Sequence, residues 1–240
     1  MFQAAAQQRS IPGAVATVGV NDRVAFLRRT YALLGGSILA FVVVTYAFMQ
    51  TSFARQFTMW AFGGQLNWIL VFGLFMAVGF LTSRLARSDT SVGLQYLGLG
   101  IGILAEAVII TPLLYVAAVY ARDPFIIQKA ALFTVLIFAG LTATVFLTRK
   151  DFSFLRGILT MASFAALGII VASWIFGFNL GTIFCVAMIV LMGGYVLYQT
   201  SMLMGYFRPT QHVAAALMLF STIATLFWYV LQLLMSLQRR

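Results

Sequence analysis

Seven predominantly apolar stretches follow one another along the chain, at Thr30–Gln50, Gly64–Ser83, Gly93–Tyr120, Ala130–Thr148, Gly157–Phe176, Leu180–Leu203 and Val213–Leu237. A helix of about 20 apolar residues, rising 1.5 Å per residue, crosses the roughly 30 Å hydrocarbon core of a bilayer. A lipid-exposed segment must also satisfy its own backbone hydrogen bonds, which a helix does and an isolated strand does not. The pattern therefore predicts an all-α polytopic membrane protein, a bundle of seven transmembrane helices. Residues 1–29 form its amino-terminal tail and residues 30–240 its membrane domain. The lipid bilayer is its first partner.

Composition closes off the soluble alternatives. Hydrophobic residues make up 62% of the chain and charged residues 8%, against roughly 45–50% and about 25% in soluble domains. The breaks between apolar runs are too short to hold a separate globular domain. The net charge of +10 raises the question of nucleic acid, but the basic residues stand singly or in pairs between spans, where the positive-inside rule places them. No stretch has the clustered basic and aromatic surface of a nucleic-acid site, so no nucleic-acid partner is expected.

Orientation follows from the same residues. Arg9, Arg23, Arg28, Arg29, Arg84, Arg87, Arg149, Lys150, Arg156 and Arg208 fall on the side of the amino terminus, ten in all, against five on the other side, Arg55, Arg122, Lys129, Arg239 and Arg240. The tail is predicted to be cytoplasmic. It lacks the pattern of a cleaved signal peptide. Val20, Val24, Leu27 and Tyr31 recur at helical spacing beside Arg23, Arg28 and Arg29, which predicts an interfacial helix leading into the first span. The third and seventh runs are longer than a minimal span, so tilt, a kink at Pro112 or an interfacial turn must absorb the excess. Only Gly177, Phe178 and Asn179 separate the fifth and sixth runs, as in a tight helical hairpin.

Cys185 is the only cysteine and His212 the only histidine. An intrachain disulfide is excluded, and so is a zinc centre of clustered His and Cys. Cys185 is expected to pack in a span, and His212 to sit at the interface. Gly98, Gly100 and Gly102 lie inside an apolar span rather than between a strand and a helix, so they are no dinucleotide loop. No phosphate loop, nucleophile elbow or metalloprotease motif is present. The chain is read as a non-enzyme without a catalytic residue, metal or cofactor.

Polar residues inside the spans are the remaining candidates. Gly98, Gly102 and Glu106 are four apart and share one helix face, with the glycines admitting a close neighbour and the carboxyl just beyond. Glu106 is the only acid deep in a span. It is either an ion or proton site, or a carboxyl hydrogen-bonded to a neighbouring helix. On the seventh span Thr222, Thr225, Tyr229, Gln232 and Ser236 form one seam, and the sixth carries Tyr195, Tyr198, Gln199, Thr200 and Ser201. Such groups are costly against lipid. Two readings remain open for them, hydrogen bonding between helices and the lining of a cavity.

Several segments resemble the Bax inhibitor-1 family of small heptahelical membrane proteins. TRKDFSFLRGIL, Thr148 to Leu159, is similar to the family's connection between the fourth and fifth spans, and KAALFTVLIFAGLTATVFL, Lys129 to Leu147, to its fourth. FLRRTYALL, Phe26 to Leu34, resembles its entry into the first span, and GGYVLYQTSML and AAALMLFSTIATLFWYVLQLL its last two. The likeness runs from Asp22 to Leu237. It implies seven spans in a bacterial-type member, in the cytoplasmic (inner) membrane, and an ion leak for calcium or protons. The alternative it implies is a modulator of another membrane protein, such as a membrane protease.

The family's usual sixth span reads L-Y-D-T and its seventh L-Y-L-D-x-x-N, and its two aspartates form a pair linked to a pH-sensitive calcium leak. Here Gln199 stands in LYQT, and Thr222 and Thr225 in LFSTIAT. An amide and a hydroxyl do not titrate in the physiological range. The resemblance therefore implies a scaffold with altered or absent pH gating, in which Gln199 and Thr222 hold two helices together, and with weaker calcium affinity, since hard anionic oxygens are gone.

Overall fold

The computed structural model describes residues 13–88, 91–148 and 150–238. Among these it is helical with no strand, and seven of its helices are long and apolar enough to cross a membrane. The helices are α1 Val20–Met49, α2 Ser52–Phe62, α3 Gln65–Ala86, α4 Val92–Tyr120, α5 Ile126–Thr148, α6 Leu155–Phe176, α7 Gly181–Tyr206 and α8 His212–Gln238. All but α2 are the predicted spans. Of the basic residues that set the orientation, Arg9, Arg149, Arg239 and Arg240 lie outside the described residues, as do positions 1–12 of the tail.

The boundary expected near residue 29 falls inside α1, so the amphipathic segment and the first span are one helix of 30 residues. At 1.5 Å per residue it is about 45 Å long, enough to cross the hydrocarbon and still carry Arg23, Arg28 and Arg29 beyond it. Before α1 part of the tail is packed against the bundle, with Ala14, Val15 and Ala16 buried. The Val15 N–H donates to the Phe207 carbonyl at 2.9 Å. Arg23 holds the same segment, its Nε donating to the Val18 carbonyl at 2.9 Å and its Nη2 to that of Ala16 at 2.6 Å.

α4 continues unbroken through Pro112, so the excess length of the third span is carried as helix. The hairpin between α6 and α7 is one residue longer than expected, Gly177 to Leu180. Gly177 ends α6 with φ +70°, a left-handed conformation that closes the helix through its N–H to the Ser173 carbonyl at 2.9 Å. Several hydroxyls along the spans return to the preceding turn of their own helix. Ser37 donates to Leu33, Thr45 to Phe41, Thr111 to Ala107 and Thr134 to Ala130, all at 2.6–2.8 Å. That arrangement lets an apolar environment hold a serine or threonine at little cost. In the α4–α5 connection Asp123 accepts from Lys129 and from the Phe125 N–H, which hold its carboxyl below the usual carboxylate range.

The chain divides into two compact units. The first reaches to Tyr115 and takes in Met202–Ser221; the second comprises Val116–Ser201 and the chain from Thr222. Within the first, the glycine seam of α4 does what its spacing predicts. A Cβ on Gly98 would lie 2.8–2.9 Å from the Ala86 N, the Leu85 Cβ and the Thr82 carbonyl at the end of α3, and one on Gly102 would lie 2.7 Å from Leu217 Cδ1 of α8. Phe41 of α1 meets Phe220 of α8 edge to face, with ring centroids 5.7 Å apart. Within the second unit the Gly-Gly pair of α7 plays the same part. A Cβ on Gly193 would stand 3.2 Å from Leu141 of α5, and one on Gly194 2.7 Å from Leu159 of α6.

Two substitutions on one helix separate close packing from helix propensity. Gly98→Ala forces a methyl group against backbone and is expected to cost about 1–3 kcal/mol. Gly100→Ala meets nothing within 4 Å and is expected to leave stability unchanged or slightly raised. Thermal unfolding of the two variants in mild detergent reads the difference.

Candidate functional site in the last two helices

Glu106 lies in the middle of α4 and is 8% exposed. Its carboxyl is hydrogen-bonded to the Ser221 hydroxyl of α8. Both belong to the first unit. The sequence marks Glu106 but not its partner: Ser221 stands at the edge of the polar seam of α8, one turn before Thr225, and only the packing of α8 on α4 brings it to the carboxyl.

In the second unit α7 and α8 run antiparallel and are joined at several levels. Thr222 Oγ1 donates to Gln199 Oε1 at 2.9 Å, between two buried side chains. Further along, the Cys185 thiol stands 3.7 Å from Gln232 Oε1, and the hydroxyls of Thr182 and Ser236 are 3.1 Å apart. Tyr229 packs edge to face on Phe184, with centroids 6.1 Å apart. The seam predicted on the seventh span thus meets α7. Thr225 lies on it, half-buried, close to one turn beyond Thr222.

The other tyrosines of α7 are placed differently. The Tyr195 hydroxyl is 2.8 Å from that of Ser163 on α6 and 3.5 Å from the Leu159 carbonyl, so it ties α7 to α6 rather than to α8. Tyr198 is half-buried, and its carbonyl accepts from the Ser201 hydroxyl at 2.8 Å. The Thr200 hydroxyl is buried with no hydrogen-bond partner among the described residues. Sequence reasoning missed Ser163 and Thr182, two isolated hydroxyls in apolar helices, because nothing in their own neighbourhood distinguishes them from those that bond to their own backbone.

Chemically the Gln199–Thr222 contact is a clasp between neutral groups. It accepts or releases no proton in the physiological range.

A model of the family described as inhibitor of apoptosis-promoting Bax1 matches residues 23–239. The chain belongs to the Bax inhibitor-1 family. It is 25% identical to protein lifeguard 4 of the mouse over 228 residues, 94% of this chain and 91% of the mouse protein. An uncharacterized protein of Pseudomonas aeruginosa is 27% identical over 236 residues, covering 96% and 92% of the two chains. The Golgi anti-apoptotic protein of vaccinia virus, strain Lister, is 27% identical over 234 residues, 92% and 89%. These alignments span nearly the full length of each relative, so the likeness is one of the whole bundle.

A double-mutant cycle on Gln199→Leu and Thr222→Val measures the clasp. Side-chain hydrogen bonds between membrane helices average about 0.6 kcal/mol and reach about 1.7. A coupling energy in that range is expected from unfolding in detergent, unchanged between mildly acidic and neutral pH because neither group titrates there.

Proposed function

We propose that this Bax inhibitor-1 protein is a non-enzymatic cation leak, for calcium or protons, whose ionisable element is Glu106 and whose contact between the last two helices has no pH switch. The observation that carries the reading is a carboxyl buried in the core between α4 and α8, bonded to Ser221. Intramembrane acids are costly to keep, and they commonly mark the path of an ion or a proton. The neutral pair Gln199 and Thr222 holds α7 to α8 whatever the pH, so gating of the usual kind is altered or absent.

The amino terminus is proposed to face the cytoplasm, on the ten-to-five distribution of Lys and Arg. The proposed location is a bacterial cytoplasmic membrane, in keeping with the Pseudomonas relative.

A second reading has its own support. The polar seam of α8 is engaged with α7, while large apolar side chains such as Leu39, Leu74, Phe164 and Ile183 are exposed on other spans. Faces of that kind suit a modulator that binds another membrane protein, a membrane protease for example. The viral relative is named as an anti-apoptotic protein of the Golgi.

Ion flux in proteoliposomes tests the leak. The native protein is expected to pass calcium or protons, Glu106→Gln to lose most of that flux together with any dependence on pH, and Gln199→Asp with Thr222→Asp to add a pH-dependent component of its own. Absence of flux at every pH, or flux indifferent to Glu106→Gln, overturns the leak; recovery of a specific membrane partner by crosslinking then supports the modulator.

A further inference from the structure

The short helix α2 has no place among the spans and no role in the leak. It has 11 residues, too few to cross a bilayer, and two-residue connections join it to α1 and α3. Its small residues Ala54, Thr58 and Ala61 are buried on one face. The Asn67 side chain donates to the Trp60 carbonyl and holds the end of the helix.

On the flank beside that buried face, Phe53, Phe57 and Trp60 follow at steps of four and three and so fall in one stripe. Their rings are stacked on one another, and the row starts in the last turn of α1 with Phe48 tilted against Phe53. Phe48 to Phe53 is 5.2 Å between centroids, Phe53 to Phe57 5.3 Å and Phe57 to Trp60 5.9 Å. Phe53 is 37% exposed and Trp60 48%. Ser52 and Arg55, both exposed, lie further round the helix together with the exposed Met59 and Phe62, and Gln56 stands beside Trp60 at the edge of the stripe.

We infer that α2 is an interfacial helix whose aromatic stripe, Phe53, Phe57 and Trp60, inserts into the lipid at the boundary between headgroups and acyl chains, with Ser52 and Arg55 turned towards headgroups and water. Three observations point to lipid as the occupant. The stripe is continuous, through Phe48, with a helix that crosses the membrane. Tryptophan and phenylalanine on one side of a short helix, with polar residues on another, give the composition of helices that lie in the interface plane. Trp60 carries an indole N–H on an apolar ring, which favours the headgroup level over both water and hydrocarbon. By the order of the helices, α2 sits at the membrane face opposite the amino-terminal tail, and the inference holds whether or not the protein conducts ions.

The test uses the full chain with Trp68→Phe, Trp174→Phe and Trp228→Phe, so that Trp60 alone emits, reconstituted into phosphatidylcholine vesicles brominated at defined acyl positions. Bromines near the carbonyl end are expected to quench Trp60 more than those near the methyl end, and aqueous iodide to quench it several-fold less than free tryptophan. Strong iodide quenching without bromolipid quenching overturns the proposal in favour of a solvent-exposed helix. Protection from both quenchers that disappears as protein is diluted in lipid overturns it in favour of contact with a second copy. Should the triple variant fail to fold, nitroxides on Phe53→Cys and Arg55→Cys, each with Cys185→Ala, give an independent reading. The label at 53 is then expected to be reached by dissolved oxygen and the label at 55 by an aqueous paramagnetic reagent; equal aqueous access at both overturns the proposal.

Discussion

Inside a bilayer the hydrophobic effect no longer draws one helix to another, because lipid tails are as apolar as leucine. Association then depends on close packing and on hydrogen bonds that lipid cannot supply. The contacts of this protein follow that constraint. Gly98 and Gly102 bring α3 and α8 against α4, and Gly193 and Gly194 bring α5 and α6 against α7. The polar side chains meet across helix pairs, as Glu106 with Ser221 and Thr222 with Gln199. α4 and α8, which supply most of these groups, are also the most buried spans: 61% and 67% of their apolar stretches is buried, against 11–33% in the other five.

The seven spans were legible because a length of about 20 apolar residues is a demand of the bilayer and is written residue by residue. The glycine seam was legible because a spacing of four fixes a helix face. Other features depend on which helix packs against which, and local spacing does not encode that. Ser221 is an ordinary hydroxyl until α8 is set against α4. Ala14, Val15 and Ala16 read as part of the amino-terminal tail, yet they are buried, and the Val15 N–H reaches the Phe207 carbonyl. α2 escaped because 11 residues fall below the length of a span and its aromatics read as a connection. The facing of Gln199 and Thr222 came within reach only through the family resemblance, since nothing in either helix alone names the partner.

Membership of the Bax inhibitor-1 family accounts for the bundle, but a shared fold does not carry an activity whose central residues differ. Two carboxylates facing each other can share a proton and change charge with pH. An amide and a hydroxyl in the same two helices keep the hydrogen bond and lose the titration. What remains ionisable inside the spans among the acids is Glu106, in a different pair of helices. The proposed leak therefore moves any proton sensitivity from the contact between α7 and α8 to that between α4 and α8.

Infrared difference spectroscopy of the reconstituted protein across pH tests that displacement most directly, because a carboxylic acid in an apolar setting has its own C=O stretching band. The account predicts one titrating carboxylic band from inside the membrane, present in the native protein and in Gln199→Leu, and absent in Glu106→Gln. A titrating band that survives Glu106→Gln, or no titrating band in the native protein, would contradict it.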